Sequence, residues 1–154
     1  MRKQLNSTSL LRLAVFAFAF FAAGCKGYSK DSFESIPYVA DAEFVMEEGA
    51  ADYSICGVNL FIFNKSEKNI SSINIVFFLF DKDGEPASEC RSKLSFEVEK
   101  EISAGEQASF CIPLDRYMNT IPSESLFVDY LYLEKIIYDD GSVWEDPLGL
   151  AAFK

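Results

Sequence analysis

The sequence predicts an all-β domain, a β-sandwich of about seven short strands with one short helix, filling residues 38–154. Three observations lead there. Apolar side chains recur with the period of two expected of half-buried strands. Clusters of Asp, Asn, Ser and Gly separate the apolar runs at short intervals, as turns do. No alternation of strands with long helical segments interrupts the series, which argues against a doubly wound parallel sheet.

The elements follow in chain order. Glu43–Glu47 reads as a brief edge strand, and Tyr53–Phe63 (YSICGVNLFIF) as a longer one with apolar residues on both parities. The polar stretch Asn64–Asn69 ends it. Ile73–Phe80 (INIVFFLF) is the most apolar segment, too short and too aromatic for a helix. Asp81-Lys82-Asp83-Gly84 is a turn. Leu94, Phe96 and Val98 then alternate with Ser95, Glu97 and Glu99, the pattern of a half-buried strand. After the turn Ser103–Glu106, residues Ala108, Phe110, Ile112 and Leu114 line one face of the next strand. Asp115 is placed to cap a short helix through Met118, which Pro122 stops. Phe127–Tyr138 is a long strand, Asp139-Asp140-Gly141 its hairpin turn, and Val143-Trp144 the return, with Trp144 at least partly buried.

The first 24 residues have another character. Arg2, Lys3 and Arg12 make a basic start, an apolar run from Leu13 to Ala23 follows, and Ala22-Ala23-Gly24-Cys25 closes it with small residues. This is the layout of a secretory signal, and its 11-residue run falls short of the roughly 20 residues that span a bilayer. Small-small-Cys after the run resembles a lipobox in the looser form of spirochaete lipoproteins, with Ala22 where leucine is usual. The resemblance implies cleavage before Cys25, diacylglycerol on its sulfur, and a membrane as first partner. Residues 25–37 then form a polar, lipidated tether.

Charge and composition exclude several classes. The whole chain carries −10. Three of its 14 basic residues and none of its 24 acidic ones precede Cys25, so the remainder carries −13. Nucleic acid is disfavoured as a partner, because phosphate binding needs a basic footprint. The chain has no histidine, which removes Ser-His-Asp and Cys-His catalysis and histidine-ligated metals.

Several segments together resemble the FxLYD-type domain of bacterial envelope proteins. Phe77-Phe78-Leu79-Phe80-Asp81 has its F-x-L-aromatic-Asp pattern, Asn64-Lys65-Ser66 precedes it, and Gly105-Glu106 through Phe110 follows. Phe80 stands where tyrosine is usual and Ala104 where proline is. The similarity covers about residues 55–112, and LYLEKIIYDDGSVWEDP resembles the end of related spirochaete lipoproteins. The resemblance implies an immunoglobulin-like sandwich, no catalysis, and no active-site residues to transfer.

Candidate sites are few. Asp81, Asp83 and Glu85 place oxygens in one loop, yet a calcium loop of the EF-hand kind needs glycine sixth, and here it is fourth. No metal or cofactor is expected. Acidic pairs suit a glycosidase, but acids this common carry no spacing signal. Asn64-Lys65-Ser66 and Asn69-Ile70-Ser71 match the glycosylation sequon and read as turns. Phe77, Phe78 and Phe80 read as core, whereas Tyr130 and Tyr132 share a face with Val128 and Ile136 and are better surface candidates. The expected working surface is the closing hairpin: Tyr130, Tyr132, Tyr138, Asp139, Asp140 and Trp144. It would serve a non-enzymatic interaction or structural module of the envelope, its partner another envelope protein. A small-ligand-binding lipoprotein is the alternative, ahead of a carboxylate-type hydrolase.

Three cysteines remain once Cys25 is used. Cys56 lies on the apolar parity of Val58, Leu60 and Ile62, Cys111 in step with Ser109 and Gln107, and Cys90 in a polar stretch. Outside the cytoplasm one pair and one free thiol is the natural count. Cys90–Cys111 is the expected disulfide, with Cys56–Cys111 the alternative.

Overall fold

The computed structural model describes residues 36–47 and 50–152. The signal, Cys25 and the tether up to Ser35 lie outside them. Seven strands follow in order: β1 Tyr38–Val45, β2 Gly57–Asn64, β3 Ile70–Phe80, β4 Lys93–Ile102, β5 Gln107–Pro113, β6 Phe127–Tyr138 and β7 Val143–Glu145. They form two antiparallel sheets, β1-β2-β5 and β4-β3-β6-β7.

One core serves both sheets. Tyr38, Phe44, Val58, Leu60 and Ile62 enter it from the three-stranded sheet, and Ile73, Ile75, Phe77, Leu79, Leu133 and Ile136 from the four-stranded one. Full burial of such a side chain contributes about 1.5–3 kcal/mol. In β1 the inward parity is Tyr38, Ala40, Ala42, Phe44, with the aromatics buried and the alanines half-buried between them. The all-β, two-sheet architecture is as expected, and Trp144 is half-buried, its ring 5.7 Å from that of Tyr38 at 76°.

Several boundaries differ from the sequence reading. β1 starts five residues before Glu43 because its middle is built from small and acidic residues that give little strand signal. β2 starts at Gly57, the segment before it forming bends that lead Cys56 into the core. The helix over Asp115–Met118 does not form, and no helix occurs among the described residues. Leu114 O accepts the N–H groups of Tyr117 (2.8 Å) and Met118 (3.2 Å) in a single turn. Asp115 caps other backbone instead: its carboxylate accepts N–H bonds from Ser54 (2.8 Å), Ile55 (2.7 Å) and Cys56 (3.3 Å), which hold its pKa below the usual carboxylate value.

At one end of the domain the two sheets are tied through Asn64, which is fully buried. Its Nδ2 donates to Lys68 O (2.8 Å), Ile102 O (3.1 Å) and Ser103 O (3.1 Å). Its Oδ1 accepts from Ser66 N (3.0 Å) and Ser66 Oγ (2.6 Å). Its backbone pairs with the next turn, Asn64 N to Glu106 O and Gly105 N to Asn64 O, where Gly105 sits at φ +72°. The residue thereby joins the end of β2, the 64–69 loop and the β4–β5 turn. Asn69 extends the network, accepting from Ala104 N (3.1 Å) and donating to Asp139 (2.9 Å).

Asn64→Ala leaves three inward carbonyls without their donor and should lower unfolding stability by about 3 kcal/mol. Asn64→Asp should cost more, since it sets a carboxylate against those carbonyls. Urea unfolding at neutral pH measures both. A loss under about 1 kcal/mol for both would refute the role given to this amide.

Candidate functional site

The site begins with irregularities in β6. Against β3, Phe78 pairs with Asp129 and Val76 with Tyr132, so Tyr130 and Leu131 together face the single residue Phe77. A second extra residue, Glu134, lies between the pairs Ile75–Leu133 and Asn74–Lys135. Such bulges re-aim side chains. Tyr130 adopts φ +50°, the left-handed region that non-glycine residues avoid, and Asp129 Oδ1 accepts its N–H at 2.7 Å. Its ring turns outward to meet Phe78 edge-on at 5.7 Å and Phe80 at 6.0 Å.

These rings form one wall of a groove on the outer face of the four-stranded sheet, with a volume of about 560 Å³. Pro86, Lys93, Tyr132, Pro147 and Leu148 complete it. Leu148 is 72% exposed, Phe127 58% and Tyr130 49%. Asp146 fixes the C-terminal side of the groove. It is buried, its carboxylate accepts from Leu150 N (3.0 Å) and Ala151 N (2.9 Å), and its own N–H bonds Glu134 O (2.9 Å). The segment after β7 is thus pinned against the second bulge of β6.

The residues expected to form a surface on the closing hairpin divide. Tyr130 is exposed in the groove, but Tyr132 and Tyr138 are buried at 4% and 7%, and Trp144 packs on Tyr38. The bulge is the reason: Val128 and Ile136 face the core, whereas Tyr132 lies with Val76 on the outer face. Tyr130 and Tyr132 therefore do not share a face with Val128 and Ile136. Asp139 and Asp140 belong to the Asn64 end. Asp140 pairs with Lys68 at 2.8 Å and accepts from Ser142 N and Oγ, which pulls its pKa well down. Phe78 and Phe80, read as core from the sequence, are half-buried groove residues, while Phe77 is fully buried and stacks on Phe96 at 5.6 Å. Phe127 and Leu148 had no surface signal in the sequence.

The remaining candidates are structural. Asp81 Oδ1 accepts from Asp83 N and Glu85 N, both at 2.9 Å, closing the DKDG turn with Gly84 at φ +80°. No three His, Cys, Asp or Glu side chains among the described residues are grouped as metal ligands. Cys56, Cys90 and Cys111 are separate thiols, so the expected Cys90–Cys111 bond is not formed. Cys90 is buried in the core, whereas Cys111 pairs with exposed Asn59 on the outer face of the three-stranded sheet. The polar sequence around Cys90 hid its burial.

Tyr38 crosses the core. Its hydroxyl accepts Leu133 N–H at 2.9 Å, at the bulged stretch of β6. Burial pushes its pKa up from 10.0 to about 12, partly opposed by the Leu133 hydrogen bond and reinforced by the charge on Asp146. A raised pKa favours the neutral phenol in the folded state. Its contribution is complete below pH 10 and lost as pH rises through about 12, on the order of 3 kcal/mol for a two-unit shift. Tyr38→Phe should flatten that alkaline loss in pH-dependent urea unfolding, while costing about 1 kcal/mol at neutral pH.

The two groove tyrosines should separate in mutagenesis. Tyr132→Ser should destabilise the fold by about 3 kcal/mol, as truncation of a buried aromatic does. Tyr130→Ser should cost under about 1 kcal/mol, since the half-exposed ring gives up only its contacts with Phe78 and Phe80. Thermal melts of both variants test this, and equal losses would refute the outward placement of Tyr130.

No family model matches the chain, and no curated protein matches it. A solved structure of a hypothetical protein from Peptoclostridium difficile 630 is similar, with a TM-score of 0.54 and 13% identity over 73% of this chain and 88% of that one. At that identity the likeness is one of fold alone.

Proposed function

We propose that this chain is a lipid-anchored protein of the bacterial envelope whose β domain is a non-enzymatic interaction module. The observation that carries the reading is the aromatic groove of Phe78, Phe80, Tyr130 and Leu148 on the outer face of the four-stranded sheet. An exposed tyrosine beside half-buried phenylalanines, set in a shallow apolar depression, suits a protein contact. The backbone strain at Tyr130 supports it, since strain of about 1–3 kcal/mol is commonly retained where it aims a functional side chain. The anchor rests on the basic start, the apolar run and Cys25.

The immunoglobulin-like type belongs to the same proposal. Its support is the way β2–β3, β4–β5 and β5–β6 each pass from one sheet to the other across a shared core. β4 pairs with β3, a departure from the constant-type arrangement. The FxLYD resemblance is compatible with it, and the motif has a physical content. Phe77 and Leu79 fill the core, Asp81 closes a turn, and Asn64 and Ser66 form the buried hub. Those positions build the fold, while Phe78 and the motif's aromatic, Phe80, line the groove. A second reading, a small apolar ligand in the groove, draws on its volume of about 560 Å³, within the usual range of ligand sites.

Two measurements test the proposal. Cys25→Ser should abolish acylation and move the protein from the detergent phase to the aqueous phase, read by partitioning and terminal mass spectrometry. Mild crosslinking of envelopes should then capture a protein with the parent chain, and several-fold less of it with Tyr130→Ser at unchanged melting temperature. An unmodified terminus refutes the anchor. Capture unaffected by Tyr130→Ser refutes the groove.

A further inference from the structure

The three thiols are distributed unequally between the faces of the domain. Cys56 is fully buried and Cys90 is 8% exposed, and both belong to the same core cluster. One short segment holds both. Leu114 N–H donates to Cys56 O at 3.0 Å, Met118 N–H donates to Leu114 O at 3.2 Å, and Met118 forms an antiparallel bridge with Cys90. Asn119 N–H adds a bond to Glu89 O. Cys56 leads into the three-stranded sheet and Cys90 into the four-stranded one, so the segment Leu114–Asn119 brings the approaches to both sheets together. Cys111 lies across the sheet from this cluster: a Cβ added to Gly57 would meet its sulfur at 2.7 Å, on the face opposite that of Val58 and Cys56.

We propose that Cys56 and Cys90, both thiols in this structure, are the pair that oxidation joins through the core, linking the two sheets, and that Cys111 is the thiol left free. The pairing differs from both pairings expected from the sequence. Chemically it needs a disulfide as oxidant, either a small one such as oxidised glutathione or an oxidoreductase. One cysteine thiolate attacks it and releases the first thiol. The second thiolate then displaces the other thiol from the mixed disulfide. Two protein thiols are oxidised, one external disulfide is reduced to two thiols, and no other redox partner is required.

The surroundings set when this happens. Burial pushes the Cys56 thiol up to about 11, with Asp115, Cys90 and Cys111 adding to it in that order, and burial raises Cys90 as well. Thiolate is therefore scarce in the folded domain, and the bond forms during folding or on opening of the 114–119 segment. The proposal stands apart from the groove and from the lipid anchor.

The test uses the full chain, purified in detergent and reduced, then equilibrated in a glutathione redox buffer, alkylated and digested with trypsin without reduction. Cleavage after Lys30, Lys65, Lys82, Arg91, Lys100 and Arg116 puts each of the three cysteines in its own peptide. The expected product is residues 31–65 linked to residues 83–91, two hydrogens lighter than their sum, with alkylated Cys111 in residues 101–116. The bond closes a loop of about 35 residues, so the oxidised chain should melt roughly 10 °C above the reduced one. Any linkage to residues 101–116 as the main product, or three alkylated cysteines under oxidising conditions, would overturn the proposal. An oxidised form melting no higher than the reduced one would overturn it too, since the bond would then form only by distorting the fold.

Discussion

Asn64 is buried from water, and each donor and acceptor of its side chain is used inside the protein. Apolar burial drives the sheets together but is indifferent to their offset, because one aliphatic contact can replace another. An amide that must satisfy three carbonyls and a serine has no such tolerance. It admits one arrangement of the β2 end, the 64–69 loop and the β4–β5 turn. That arrangement then decides where Lys68 and Asn69 meet Asp140 and Asp139 at the β6–β7 hairpin. The end of the domain is therefore built outward from one buried polar side chain. Tyr38 supplies a second directional contact across the core, from β1 to β6.

The parts of the fold legible in the sequence are those where local pattern and tertiary environment agree. Leu94, Phe96 and Val98 alternate with polar residues and lie on an edge strand whose inward face is buried or half-buried. β1 was largely hidden, because Ala40 and Ala42 carry too little apolar surface to mark a face. Parity failed in β6 for a different reason. The first inserted residue inverts the side chains after it until the second, Glu134, restores the parity, and nothing in Asp129-Tyr130-Leu131 announces a bulge built on a tyrosine. Asp115 has the residue type of a helix cap, yet its partners lie some sixty positions earlier in the chain, beyond any local reading. The sequence placed Tyr130 on the surface, but its neighbours Phe80 and Leu148 only become a site through the bulge and the pinned C-terminal segment.

A division of labour follows between the two ends of the domain. The Asn64 end is crowded with hydrogen bonds and holds the Lys68–Asp140 ion pair, and Asp139 and Asp140 are both occupied. The opposite half carries the groove, exposed Phe127, and the cysteines. Within Phe77–Asp81, Phe77 and Leu79 fill the core and Asp81 closes a turn, while Phe78 and Phe80 face the groove, so one short run serves both architecture and surface.

The chain enters this domain at the Asn64 end: Lys65 N–H bonds Pro37 O at 2.8 Å, and β1 then runs antiparallel to β2 from Tyr38–Asn64 to Val45–Gly57. The groove lies towards the other end. A molecule held at the groove and tugged from the segment before Ile36 would therefore feel the load along its strands. The β1–β2 ladder lies across that line of force, so its hydrogen bonds would be stressed in shear, several at once, and would not open one by one. The Tyr38 hydroxyl would share the load with β6.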